Sequence, residues 1–385
     1  MFKSLLLTSV LAATAMARGM GPHGEVVVGY YDTWGGSPAA KDLAYDQLTH
    51  INIAFSTVQA DFSPSVPVNT ITELVPLAHK YNTKVLISVG GWGGCNYYSP
   101  MVNNVTGRAI FIKGVKNMIE TYNLDGIDFD WEYPGEQGAC GQPYAPTDTA
   151  NFLVLLKQLR KAIGHHKLIT AATFTKPFAD VQGNPSTDLS EFAKVFDWIN
   201  IMTYDLNDIW GTTTGVNSPL RDGQGFFPPN ASIEKAVDDW HATGMPYSKM
   251  TVGVAFYGHY ATSISSMANN TPSDVWVPVK GGNTEHACTG AGLGGTWNYI
   301  DIRNWFLDAK DFTKPKPGWI RKYDPKTQTP WLFNPSNNTF VTYDDPISVG
   351  VKVGYTKARR LKGLMFWEMG LDGGELLPVV GKILD

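Results

Sequence analysis

Eight short runs of apolar and β-branched residues, separated by stretches with helical spacing, constrain this chain more than any other feature of its sequence. They lie at 25–31, 50–55, 84–91, 124–132, 168–174, 198–205, 250–258 and 361–368. Such near-continuous apolar runs suit strands buried on both faces, the condition of a parallel sheet. Between them, 106–122 places Phe111, Val115, Met118 and Ile119 at helical spacing, and 149–163 and 232–243 are further amphipathic candidates. Eight βα units predict an α/β fold, a closed (β/α)8 TIM barrel. The interval between the seventh and eighth runs is roughly 100 residues, too long for a bare connection. It is dense in aromatics (Trp276, Trp297, Trp305, Trp319, Trp331, Tyr343) and in Gly and Pro. A small α+β subdomain is expected at 260–345, inserted between strands 7 and 8, with 18–259 and 346–385 forming the barrel.

The amino terminus reads differently. Lys3 precedes an apolar run from Leu5 to Met16, and Ala15-Met16-Ala17 has the small-x-small spacing of a signal-peptidase site. Residues 1–17 are expected to be a signal peptide and the chain to be secreted and extracellular. Asn-x-Ser/Thr sequons at Asn104, Asn230, Asn269 and Asn337 fit that route as glycosylation candidates. No later run is long enough to span a bilayer. A formal net charge of -4 offers no surplus of cations, so neither a nucleic acid nor an anionic membrane is an expected partner.

Three cysteines, Cys95, Cys140 and Cys288, are too few for a disulfide scaffold and match no zinc spacing. A Cys95–Cys140 bridge is expected, because both fall in loops at the same end of neighbouring strands. The eight histidines show no ligand spacing, so no metal and no cofactor are expected. The sequence does not set the oligomeric state; a monomer is the default.

Chemistry concentrates in Asp125-Gly126-Ile127-Asp128-Phe129-Asp130-Trp131-Glu132. In a strand this alternation puts Asp128, Asp130 and Glu132 on one face and Ile127, Phe129 and Trp131 on the other. On an isolated strand those acids would simply face water. On the fourth strand of a parallel barrel, both faces are buried. Neighbouring carboxylates about 7 Å apart then repel by roughly 2 kcal/mol at an effective dielectric of ~20. Burial acts in the same direction, so at least one acid should keep its proton near neutral pH. Glu132, at the carboxyl end of the strand where barrel enzymes place their chemistry, is the natural general acid. Asp130 can share a proton with either neighbour.

This D-x-x-D-x-D-x-E run, followed by Tyr133-Pro134-Gly135, resembles the active-site strand of the secreted, fungal-like chitinases of glycoside hydrolase family 18. Further likeness extends along the chain. Ser88-Val89-Gly90-Gly91-Trp92 is similar to the family's third strand, Met202-Thr203-Tyr204-Asp205 to its sixth and Gly253 to Gly258 to its seventh. Tyr343-Asp344-Asp345-Pro346 and Gly363-Leu364-Met365-Phe366-Trp367-Glu368 resemble its subdomain exit and eighth strand.

The resemblance implies hydrolysis of β-1,4 N-acetylglucosamine linkages in chitin and chitooligosaccharides, with retention of configuration and the substrate's acetamido oxygen as nucleophile. Glu132 would be the acid/base, Asp130 the carboxylate that polarises the acetamido group and Asp128 its buried partner. Tyr204 would hold the acetamido carbonyl, with Asp205 as its sugar-binding neighbour. Trp367 would floor the cleaved sugar, Tyr31, Phe55, Met202 and Tyr257 would wall the pocket, and Trp92 and Trp210 would be flanking platforms. Without the resemblance, Tyr31, Phe55, Met202 and Tyr257 read first as residues that fill a barrel interior, and Trp367 could also be a core residue, though a Trp at that strand end faces the mouth. Two departures bear on sugar contacts: His259 stands where many members have Arg, and 205–210 lacks the usual small residues. An endo-β-N-acetylglucosaminidase acting on N-glycan cores is the alternative enzyme, and a lectin on the same barrel the alternative class.

Overall fold

The structure, a computed structural model, describes residues 19–207, 212–222, 231–280 and 294–385. The expected signal peptide, Trp210, Asn230 and Cys288 lie outside the described residues. All eight runs form strands: β1 (Val26–Asp32), β2 (His50–Ser56), β3 (Lys84–Gly90), β4 (Gly126–Asp130), β5 (Leu168–Thr173), β6 (Trp198–Ile201), β7 (Met250–Ala255) and a last one at Gly363–Trp367. They close a parallel barrel in which the last strand pairs with both β1 and β7.

Local sequence sets the helices around it. Asn104 caps the helix Val105–Tyr122 by accepting from Gly107 N, and Asn123 ends it in the left-handed region. Ser232 caps Ile233–Ala242 in the same way. Their apolar faces cover the outward side chains of the strands: Ile127, Phe129 and Trp131 join Phe111, Val115 and Phe152 in one continuous core. A second, smaller group fills the barrel itself, including Val26, Val28, Tyr30, Trp198 and Met365.

The subdomain follows β7 almost without a break. Strands β8 (Tyr257–Thr262), β9 (Gly294–Asn298), β10 (Leu307–Asp308), β11 (Asp311–Pro315), β12 (Ile320–Asp324), β13 (Thr329–Asn334) and β14 (Thr339–Thr342) precede the last barrel strand, which is therefore β15. Five form an antiparallel sheet in the order β12-β13-β14-β8-β9, and β10 pairs with β11. Trp331, Phe333 and Phe340 fill a separate core with Leu206, Val216 and Met267. Its sheet starts at Tyr257, three residues ahead of the expected boundary, because only Phe256 separates it from β7.

A buried ion pair fastens the subdomain's exit to the barrel. Lys352 Nζ lies 2.6 Å from Asp344 Oδ2 and 2.7 Å from Ser218 Oγ. Both charged side chains are 1% exposed or less, and burial pulls the Lys352 pKa down. Removing one partner leaves an uncompensated buried charge. Asp344→Ala is expected to cost about 3–5 kcal/mol by urea unfolding. Replacing both residues, as in Asp344→Leu with Lys352→Met, should recover most of that loss.

Candidate active site

The β4 alternation holds. Asp128, Asp130 and Glu132 are all buried, at 0%, 4% and 9% exposure, while Trp131 points the other way and stacks on Tyr98 at 4.9 Å. Parallel register aligns Ser88, Asp128 and Thr170 across β3, β4 and β5. Asp128 accordingly receives four hydrogen bonds from four strands. Tyr30 Oη and Ser88 Oγ donate to Oδ2 at 2.8 and 2.9 Å, and Thr170 Oγ1 and Asn200 Nδ2 to Oδ1 at 2.6 and 3.2 Å. Burial still raises its pKa, with the donors opposing.

Asp130 has no such support. Its Oδ1 is buried with no hydrogen-bond partner among the described residues. Burial, Glu132 and Asp128 push its pKa well above the ordinary carboxyl value. Glu132 lies two residues past the end of β4. Burial raises its pKa to about 8, the Tyr133 hydroxyl opposing and Asp205 adding to the rise. The acid row thus holds a proton at neutral pH on its mouth-side members.

The loop backbone around Glu132 is tied from below. Gln142 Nε2 donates to Glu132 O at 2.6 Å, and Glu132 N donates to Cys95 Sγ at 3.4 Å. Cys95 Sγ also lies 3.3 Å from Gly91 O and from Asp130 O. The expected Cys95–Cys140 bridge does not form. Cys95 is a buried free thiol turned under β4, whereas Cys140 is disulfide-bonded. Placement at the same end of adjacent strands did not determine which way each side chain points. Gly90 is required here, since a Cβ on its left-handed backbone would lie 2.0 Å from Asp130 O.

Tyr204 and Asp205 sit in the loop just past β6. Tyr204 is 7% exposed, its hydroxyl approaches only the Met365 sulfur at 3.6 Å among the described bonds, and burial and the surrounding acids keep it protonated. A Cβ at Gly253 would fall 2.9 Å from its ring and 2.5 Å from Ile201 O, so β7 must be bare at that level. Tyr257 packs edge-on against Tyr204 at 6.0 Å and donates to Asp205 Oδ1 at 2.6 Å. Trp367 lies 5.5 Å from Tyr30 and stacks on Phe55 at 5.6 Å, with Met202 packed against the same group. Trp92 is exposed at the rim, 6.4 Å from Tyr133.

One pocket assignment fails. Tyr31 takes the outward face of β1, packed against the outer core and near enough to Glu73 to feel its charge. Its neighbour Tyr30 is the inward residue, because the two-residue period admits only one of an adjacent pair. The alternation Val26, Val28, Tyr30 was the signal that could have found it. Trp34 was also missed: 62% exposed, it lies 6.1 Å from Phe55 and 6.2 Å from Trp367, in a loop where periodicity says nothing. The sequons Asn104, Asn269 and Asn337 are exposed. Among the described residues no cluster of three His, Cys, Asp or Glu is arranged to hold a metal, and no helix is long and apolar enough to cross a membrane.

A proton-holding carboxyl at the mouth of a parallel barrel, above a row of buried acids and beside exposed indoles, is the equipment of a sugar-cleaving barrel enzyme. Residues 26–372 match the model of the glycosyl hydrolases family 18, and the chain belongs to that family. A chitinase-like effector of Moniliophthora roreri is 32% identical, the match covering 97% of this chain and 95% of that protein. Chitinase A1 of Niallia circulans is 28% identical over 97% of this chain, which spans 60% of that longer protein. A chitinase of Rhizomucor miehei of known structure superposes with a TM-score of 0.83 at 28% identity, covering 94% of this chain and 100% of that one.

The raised Glu132 pKa carries a stability cost with a defined sign. The neutral carboxyl suits the folded site, so its contribution is fully present below the ordinary value of 4.5 and is lost as pH rises toward about 8. Glu132→Gln cannot ionise. It is expected to melt higher than the parent at pH 8, with the difference shrinking toward pH 4, as read by thermal unfolding across that range.

Proposed function

We propose that the protein hydrolyses β-1,4 N-acetylglucosamine linkages in chitin and chitooligosaccharides, with Glu132 as general acid and base and the substrate's acetamido oxygen as nucleophile. The observation that carries this reading is the orphaned Asp130 Oδ1 beside a Glu132 that holds its proton at neutral pH. A buried acceptor without a partner costs about 1–3 kcal/mol, and a ligand amide N–H arriving there offsets that cost. The protonated Tyr204 hydroxyl supplies a donor for the acetamido carbonyl on the same side. Glu132 then gives its proton to the glycosidic oxygen. As that bond breaks, the acetamido oxygen closes on the anomeric carbon, gaining the effective concentration of an intramolecular reaction.

The carboxylates elsewhere at the mouth support substrate assistance by being engaged. Asp32 Oδ1 accepts from the backbone of residues 34–36, Glu368 Oε2 from Ser37 and Gly370, and Asp205 from Tyr257 and His259. Each is tied to its surroundings through at least one oxygen, although Asp32 Oδ2 is buried without a partner among the described residues, and this engagement supports the acetamido group over a second carboxylate as the nucleophile. The family and the chitinases it matches support the substrate class. The inserted sheet, whose strand β8 brings Tyr257 and His259 to Asp205, favours a polymer over an N-glycan core. A binding-only role is disfavoured because Glu132, Asp130 and Tyr204 are all in place. Export is part of this reading, supported by the sequence of residues 1–17 and by the exposed sequons Asn104, Asn269 and Asn337.

Glu132→Gln preserves shape and removes the transferable proton. Turnover of a fluorogenic chitobioside is expected to fall at least ~100-fold while calorimetric binding of chitooligosaccharide is retained; near-normal turnover would remove Glu132 from the acid role. The nucleophile has its own test. Early product should be the β-anomer by proton NMR, and a substrate with a free amine in place of the acetamide at the cleaved sugar should be inert. Fast cleavage of that substrate, or an α-anomer, would mean that water or another residue attacks.

A further inference from the structure

His259 lies on β8 two residues after Tyr257, so the strand period sets both side chains on one face. Register pairs it with Thr296 on β9 and with Thr342 on β14. Its Nε2 is 2.7 Å from Asp205 Oδ1, the oxygen that also accepts from Tyr257, and its Nδ1 is 3.1 Å from Thr296 Oγ1. The ring stands edge-on to Tyr257 at 5.5 Å. The histidine side chain is 8% exposed and that of Asp205 43%. A walled-in imidazole therefore grips a carboxylate that remains open to a ligand. Nε2–H donates to Asp205 whether the ring is neutral, with Nδ1 accepting from the Thr296 hydroxyl, or charged, with Nδ1–H donating to it.

We infer that His259 is a positioning residue for substrate: aligned by Thr296, it fixes the Asp205 carboxylate as the acceptor for a sugar hydroxyl and so sets how tightly the chain is held beside Glu132. This rests on the glycosidase reading of the same site. Asp205 sits in the left-handed region at φ 58°, which Asp readily adopts, with its backbone N–H donating to Asn217 Oδ1. The two donors reach it from a different element, the first strand of the subdomain.

The test measures KM, kcat and melting temperature for the full chain on a chitooligosaccharide. His259→Leu removes a donor to a charged acceptor and is expected to raise KM about 10-fold or more with a smaller change in kcat. His259→Gln, whose amide can reach the same oxygen, should recover most of that loss. Thr296→Val, at an exposed position, should raise KM by a smaller factor and serves if the leucine variant fails to fold. In an Asp205→Asn background, His259→Leu should add nothing further. An unchanged KM in both His259→Leu and Thr296→Val, or the full effect persisting without Asp205, overturns the inference. If the parent protein cleaves no chitooligosaccharide, the enzymatic reading fails instead. The same variants compared by calorimetric binding then decide the role of His259, with an unshifted Kd overturning it.

Discussion

The site depends on how a closed barrel tolerates a row of carboxylates in its interior. Asp128 is wholly buried, and β1, β3, β5 and β6 each send one inward side chain to it. Four donors on two oxygens satisfy the acid without adding a cation, which would have neutralised the field that the next two residues feel. The donors then run out. Asp130, one step toward the mouth, is pushed further up than Asp128 because burial and two acidic neighbours act on it with no hydrogen bond in opposition. Glu132 inherits its proton chiefly from burial. A gradient of hydrogen bonding along one strand face therefore delivers the proton to the end where a substrate can meet it.

Much of this was legible because two periods coincide. A parallel barrel imposes apolar residues on both faces of its strands, so the acids of β4 stand out against that background, and the strand period assigns them a common face. The same period failed at Tyr30 and Tyr31, where two adjacent tyrosines leave parity ambiguous until it is counted from Val26 and Val28. Strand ends were overrun for a related reason. The runs at 124–132 and 198–205 continue past the last ladder residues, Asp130 and Ile201, because Trp131, Glu132, Thr203 and Tyr204 stay buried after the backbone has left the sheet, while Asp205 at the end of the second run is exposed. Composition reports burial, and burial here outlasts the strand.

Loops were less legible. Cys95 and Cys140 do leave the barrel at the same end, yet Cys95 is drawn beneath β4 by three backbone groups at Gly91, Asp130 and Glu132. A side chain in a loop has no period to fix its direction, and a thiol that can accept from one N–H and donate to a carbonyl has a place in a buried turn without a bridge. Trp34 illustrates the opposite error of omission. Nothing in its neighbourhood of glycines marks it as part of the aromatic group with Phe55 and Trp367.

The join between barrel and subdomain divides the chemistry. Only Phe256 separates β7 from β8, so Gly253, which makes room for Tyr204, and Tyr257, which holds Asp205, belong to different sheets only four residues apart. The acid row is supported by barrel strands, whereas Asp205 is gripped by Tyr257 and His259 from the subdomain's first strand, backed by Thr296 on β9. Changes in the subdomain can therefore reach Asp205 while leaving the donors to Asp128 untouched. A histidine at 259 is accommodated on those terms: its ladder partners are Thr296 and Thr342 of the subdomain, and it reaches the acid row through Asp205, whose charge adds to the rise of the Glu132 pKa.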